Sequence, residues 1–489
     1  MHSLPTLSFA TPLVFALLLA LFGRGRETVQ KILAVLGSTL TFLIVIGMVP
    51  AIKTGEILGT ERWFLSFPVA VSFRADSLSI FIAVIFAFCF MLAVIYSLGY
   101  MAHGHSKYRY YILLLALDAA LLGVVLAASL VGLFIYFEFM AVVSYVLVIH
   151  EEDKNAMSAG SKYLFMTIVA GLAIFFGLVV TYHLAGRLDF LPGGYVASSP
   201  LAGYALFAFL IGFGLKAGMF PVHIWLPDAH PAAPAPISAL LSGCMIKTGA
   251  YGLIRIIHYV YGVEIIRSVS FDQVLLALAV ITILLGSALA LQQDVLKRRL
   301  AYSSVAQIGY VLLGIALLTE RAMFGALFHV FSHALMKGAL FLCAGAIITQ
   351  TEKKKVSELS GIGFQMPVIM LSFTLAAVTM VGIPPFNAFI SKWHLAVASL
   401  EVGQGILVGV LILSSLLNAL YYFPIVVNAF FKDSGQPQKP SLIRDEVPGS
   451  MLWTTALMAV LCVGFAFVQP HWPVQFAENI AAAIFAKPF

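Results

Sequence analysis

The sequence predicts an all-α polytopic membrane protein of about 14 transmembrane helices, built on two inverted five-helix repeats. Three observations carry this expectation. The 489-residue chain is 61% hydrophobic and 10% charged, where soluble domains carry about 25% charged residues, and its mean hydropathy is +1.00. Fourteen apolar segments are each long enough to span a bilayer, which takes about 20 residues. Helix breakers interrupt two of those segments, each beside a lysine.

The spans fall near 5–22, 31–51, 77–99, 110–128, 130–149, 161–183, 202–226, 236–258, 272–292, 300–318, 322–349, 365–396, 404–431 and 450–468. No connection is long enough for a soluble domain. The first span lacks a basic leader and a cleavage site, so it reads as a retained helix. In the seventh, FGLKAGMFPVHIWLPDAHPAAPAPISALL, Pro221 follows Lys216, and a mid-helix proline removes a hydrogen bond and clashes with the preceding turn. The twelfth, VTMVGIPPFNAFISKWHLAV, sets Gly382, Pro384 and Pro385 ahead of Lys392. Broken backbone at membrane depth is tolerated only where protein buries it or it lines a wet cavity. Paired breaks in mirrored order point to inverted repeats around a midplane site. The expected organisation is helices 1–3 in 1–105, a first repeat (helices 4–8) in 106–260, a second (helices 9–13) in 261–432, and helix 14 with a tail in 433–489.

Orientation follows from the basic residues of the connections. Sixteen, among them Arg24, Lys107, Lys297, Arg298, Arg299, Lys439 and Arg444, follow the odd-numbered spans. Eight, among them Lys53, Arg62, Arg74, Arg255 and Lys487, lie on the other side. The bias puts the sixteen in the cytoplasm and both termini outside, in the cell (inner) membrane. The net charge of +6 is then a topology signal and no nucleic-acid footprint.

Six charges lie deep within the spans, away from their ends. A lysine or carboxylate at the bilayer centre costs about 2.5–3.5 kcal/mol on insertion scales, so packing alone does not account for Lys216, Lys247, Lys337, Lys392, Glu138 and Asp118. Glu138 stands about 12 Å deep, eight residues from a hairpin near 129–130, with Asp118 at similar depth on the neighbouring helix. Glu138 is expected to pair with Lys216, and Asp118 to add a second carboxyl there or to be a hydrogen-bonded core acid. Lys216 and Lys392 are the expected proton carriers, because a lysine held from water can trade its proton near neutral pH. Lys247 sits mid-span in the eighth helix. His329, His333 and Lys337 recur every four residues, on one helix face. That pattern reads as a proton wire. A zinc site is disfavoured because no further ligand adjoins and a lysine follows one turn on. His223, Asp228 and His230 after the seventh-helix break shape a route or form a structural loop, and Ser303, Ser304 and Gln307 line water or join helices. The four cysteines stand singly in apolar helices, which implies no iron–sulfur, zinc or haem ligation, and no cofactor is expected.

The segments GLKAGMFPVHIWLPDAHPAAPAPISALLSGCMIKTGAYGLIR, DVLKRRLAYSSVAQIGY, FHVFSHALMKGALFL and GIPPFNAFISKWHL, within roughly residues 70–430, resemble the antiporter-like subunits of respiratory complex I, Mrp cation/proton antiporters and membrane-bound hydrogenase complexes. The resemblance implies 14 helices, inverted repeats and a hydrophilic axis across the membrane. It matches Glu138 to the family's fifth-helix glutamate, Lys216 and Lys247 to its seventh- and eighth-helix lysines, and His329, His333 and Lys337 to its eleventh-helix connection. Lys392 matches its twelfth-helix carrier. Phe137 stands where the family often has tryptophan, and Asp118 is outside the pattern. Lysine at 392, where one complex I branch has glutamate, and the short tail after helix 14 favour the Mrp D-like type.

The expected function is proton translocation in a multisubunit redox complex, complex I-like or hydrogenase-like, with electron transfer in other subunits. Its partners would be other membrane subunits, homologous ones included, and the lipid bilayer. The alternative is a D-like component of an Mrp Na⁺/H⁺ antiporter. A quinone- or haem-binding electron-transfer subunit is disfavoured by the absent cysteine motifs and unmatched haem histidines.

Overall fold

The structure is a computed structural model that describes residues 2–60, 63–66, 69–432, 447–467 and 472–486. Arg62, Lys439, Arg444 and Lys487, used in the orientation argument, lie outside the described residues.

Helices dominate. α1 (Leu4–Phe22) and α2 (Glu27–Lys53) form a hairpin. Two small antiparallel ribbons follow, β1 (Leu58–Gly59) with β4 (Arg74–Ala75) and β2 (Trp63–Ser66) with β3 (Val69–Val71). Then come α3 (Ser77–Tyr100), α4 (Lys107–Leu126), α5 (Leu130–Val148), α6 (Lys154–Ala185) and α7 (Pro200–Ala217). α8 (Leu226–Ala232) is short. α9 (Ala235–Leu240) and α10 (Ile246–Arg255) belong to one rod, Ala235–Tyr261, with π turns at Leu241–Met245 and Ile256–Tyr261. α11 (Val263–Ser268), α12 (Phe271–Leu291), α13 (Leu296–Ala316), α14 (Glu320–Thr351), α15 (Ile362–Gln365), α16 (Pro367–Val381), α17 (Asn387–Glu401), α18 (Ile406–Phe431), α19 (Gly449–Phe467) and α20 (Trp472–Phe485) complete the order.

Among the described residues, eleven helices are long and apolar enough to cross a membrane. The other three predicted spans fall on α13, which opens with Lys297, Arg298 and Arg299, on the shorter pair α16 and α17, and on α19. The ribbons and α20 were not expected. α20 is a short amphipathic helix whose buried residues Val474, Phe476, Ala477, Ile480 and Ala481 follow helical spacing and pack against α3 and α14.

Burial is graded. α6 and α18 present rows such as Phe165, Ile168, Leu172 and Phe176, or Ile412, Leu416 and Leu420, to the surroundings, as lipid-facing helices do. The rod 235–261 and α14 are enclosed along almost their whole length. These two most buried helices carry Lys247, His329, His333 and Lys337.

Both predicted breaks are present. α7 ends at Gly218 (φ 79°) two residues after Lys216, and α16 ends at Gly382 (φ 86°) ahead of Lys392. A left-handed glycine is the usual helix stop, and prolines 221, 384 and 385 keep either helix from resuming directly. At Gly382 a Cβ would also lie 2.8 Å from Lys392 Cδ, so a side chain there would push on the lysine.

Three basic residues counted as loop charges are buried: Arg255, Lys297 and Arg299. Arg255, in α10, forms a two-pronged pair with Asp76, the N-cap of α3, at 2.7 and 2.8 Å. The rings of Phe190, Tyr251 and Tyr259 surround the guanidinium. Burial pushes the Asp76 carboxyl up, but the charge and hydrogen bonds of Arg255 outweigh it and hold the pKa to about 2.

Candidate functional site

Lys216, in the last turn of α7, is fully buried. Its ammonium donates to Tyr163 Oη of α6 at 2.7 Å and lies over the rings of Phe137 and Tyr163. Tyr163 Oη is 2.6 Å from Ser144 Oγ of α5. The expected Glu138–Lys216 ion pair is not formed. Glu138 is turned towards α6, where its Oε1 lies against Gly171 and has no hydrogen-bond partner. Lys216 reaches the carboxyl only as a charge acting through space. The reason is positional: the tyrosine hydroxyl lies within reach of the ammonium and takes the bond first.

Asp118 does not join Glu138. It is buried in α4 with both oxygens unpartnered. Cys244 and Cys89 are neighbours, both buried, so two cysteines that stand apart in sequence come close in the fold. Lys247 donates to the carbonyl of Ser242, in the π turn below it. That extra-residue turn re-aims the chain at the lysine, and such turns occur frequently at functional sites.

From Lys247 the polar side chains run on across helices. Ser242 Oγ is 2.7 Å from Ser304 Oγ of α13. Lys337 donates to the carbonyl of Leu300 at 2.7 Å, to Ser303 Oγ, and to Tyr422 Oη of α18 at 3.2 Å. One and two turns back along α14 stand His333 and His329, with rings 5.9 Å apart and nearly parallel. Both nitrogens of His333 lack a partner. His329 Nε2 meets Gln307 Oε1 at 3.1 Å, and its Nδ1 meets Ser391 Oγ at 2.9 Å. Ser391 adjoins Lys392, which donates to the carbonyls of Met380 and Val381 at 3.1 and 2.8 Å and to Ser415 Oγ at 3.0 Å. Its ammonium lies over the Tyr310 ring.

The structure thus brings Lys247, Lys337, His333, His329 and Lys392 into one band, with Lys216 and Glu138 at one end and Asp118 aside. Sequence reasoning missed Tyr163, Ser144, Ser242, Ser391, Ser415 and Tyr422, which carry the bonds; no local motif marks them. Ser303, Ser304 and Gln307 do join helices.

After the seventh-helix break Asp228, but neither His223 nor His230, lines a cavity of about 790 Å³, with Glu151, Asp153, Lys162, Lys297 and Lys354. Asp228 is bonded by Lys162 and by Arg298, the latter at 2.9 Å. Between this cavity and Lys337 lies His230, fully buried, stacked on Phe341 and unpartnered at both nitrogens. Among the described residues no three His, Cys, Asp or Glu side chains converge as a metal ion would need.

Residues 127–418 match the family described as NADH:quinone oxidoreductase/Mrp antiporter, transmembrane, and residues 63–111 match the N-terminal region of complex I chain 5. The chain belongs to this antiporter-like family. The N subunit of NADH-quinone oxidoreductase from Desulforudis audaxviator is 36% identical, covering 79% of each chain. Hydrogenase-4 component B of Escherichia coli is 30% identical over 86% of this chain and 65% of its own. The D subunit of the Na⁺/H⁺ antiporter from Bacillus subtilis is 25% identical over 99% and 97%. A chain of the Mrp complex from Dietzia sp. superposes with a TM-score of 0.89 at 22% identity, covering 99% of this chain and 98% of that one, a likeness of fold. Antiporter-like subunits of this family thus share the helical bundle seen here.

Proposed function

We propose that this antiporter-like subunit translocates protons within a multisubunit membrane complex whose redox chemistry resides in other chains. One observation carries the reading. Arg255 is neutralised by Asp76, whereas Lys216, Lys247, Lys337 and Lys392 are bonded only to hydroxyls and carbonyls. A buried charge kept for structure is paired; an intramembrane cation left with neutral acceptors marks an ion path. Protons are taken up near Lys216 from the cytoplasmic face, pass along Lys247, Lys337, His333 and His329, and leave through Lys392. Both termini lie on the non-cytoplasmic side. The matched glycine stops of α7 and α16 support two inverted repeats, 106–260 and 261–432, flanked by 1–105 and 433–489.

The whole-length match to a D-type antiporter relative supports a second reading, Na⁺/H⁺ exchange without a redox partner. Sodium-driven proton movement in vesicles lacking electron donor separates the two. The shared reading is tested by Lys216→Ala in the intact complex: assembly persists and proton transport is abolished. Wild-type transport by the assembled variant would end it.

A further inference from the structure

We infer that Tyr163 is a positioning residue that gives Lys216 a second resting place, holding the ammonium away from Glu138 between transfers. The inference rests on Lys216 being a carrier, and it assigns a role to a residue that no charge pattern singles out.

The hydrogen bonds fix the direction of the tyrosine hydroxyl. The ammonium of Lys216 can only donate, and the single hydrogen of Ser144 Oγ has backbone carbonyls of its own, Met140 at 2.6 Å and Ala141 at 3.1 Å. The bond between Ser144 and Tyr163 at 2.6 Å therefore uses the hydrogen of Tyr163. A hydroxyl carries one donor and two acceptor lone pairs, so Tyr163 Oη presents only lone pairs to Lys216, 2.7 Å away. The tyrosine is locked as an acceptor. Its ring is locked as well, because Trp225 packs on it at 5.0 Å between centroids, and the Trp225 indole is itself tied to the carbonyl of Leu215 at 2.8 Å. Leu215 adjoins Lys216, so ring and lysine are referenced to the same turn of α7.

Glu138 is arranged differently. Its Oε1 has no partner and is wedged against the Cα of Gly171. A carboxylate attracts an ammonium more strongly than a phenol does, and the two groups flank one flexible lysine. With Tyr163 present the lysine has two sites, one neutral and one charged. The proton stays on Lys216 in both; only its acceptor changes. Without the hydroxyl only the charged site remains, and Lys216 settles on Glu138.

The test uses the purified native complex reconstituted in vesicles, with proton uptake followed by a pH-sensitive dye and the variant structure determined by cryo-electron microscopy. Tyr163→Phe is expected to slow uptake about tenfold, as loss of a hydrogen bond to a charged group would, and to bring Lys216 Nζ within about 4 Å of the Glu138 carboxylate. Ser144→Ala, which frees the tyrosine hydrogen without altering its bulk, is expected to slow uptake less and covers the case in which Tyr163→Phe does not assemble. Wild-type rates in both variants, or a slow Tyr163→Phe with Lys216 still apart from Glu138, overturn the inference. Uptake by an assembled Lys216→Ala complex would instead overturn the carrier reading beneath it, so the two failures are distinguishable.

Discussion

Gly171 shows how a residue without a side chain shapes the site. A Cβ there would lie 2.2 Å from Glu138 Oε1, so Gly171→Ala must displace the carboxyl from α6. Alanine favours a helix interior by about 0.5–1 kcal/mol over glycine. The expected outcome is unreduced assembly with lowered proton transport, checked by subunit content and uptake on the same preparation; unchanged uptake would show that the carboxyl's position is immaterial. The lysines and the His329–His333–Lys337 spacing were legible in sequence because charge inside an apolar run is conspicuous. Their acceptors were not. Serines and tyrosines are common in spans, and only the fold sets Ser303 and Tyr422 around Lys337 or Ser391 beside His329. The absent Glu138–Lys216 pair has the same origin: the competing hydroxyl comes from a third helix.

Among the elements, the rod 235–261 is held at its far end by Arg255 and Asp76. Removing one partner of a buried ion pair costs about 3–5 kcal/mol because the other charge is stranded. Asp76→Ala should therefore lower the denaturation midpoint clearly, while Asp76→Ala combined with Arg255→Met recovers the part due to the stranded charge but not the lost α3 cap; no recovery would point to the cap or to packing rather than charge. The pH dependence has a definite sign. The Asp76 pKa falls from its ordinary 3.8 to about 2 on folding, so its stabilisation is complete above about pH 4 and is lost as pH falls towards 2. A titration of stability across that window should lose this part in Asp76→Asn. Both helix breaks were foreseen from their prolines, but the π turns were not, since LSGCM and IIHYVY hold no proline and continue a mostly apolar run. α20 had a legible stripe at Val474, Ala477 and Ile480; shortness and modest hydrophobicity kept it below the threshold of a span.

For the molecule as a whole, orientation is the expectation most open to direct measurement. Cysteine replacing Arg24, between α1 and α2, should be shielded from an impermeant maleimide in right-side-out vesicles, and cysteine replacing Glu56, past α2, should be labelled. Both positions are exposed, and the reverse pattern would invert the proposed direction of transport. The bundle was readable as a whole because lipid imposes length and apolarity on every span, whereas its internal contacts answer to no such rule. The same division separates the two outer lysines. Lys216 rests on a side chain, so one codon change can alter its setting. Lys392 has one side-chain acceptor, Ser415, but its other two bonds go to the carbonyls of Met380 and Val381, at the negative end of α16. Every amino acid supplies such a carbonyl, so point substitution at those two positions leaves the acceptors in place. One end of the path is open to evolutionary tuning, and the other is inherited with the bend of the backbone.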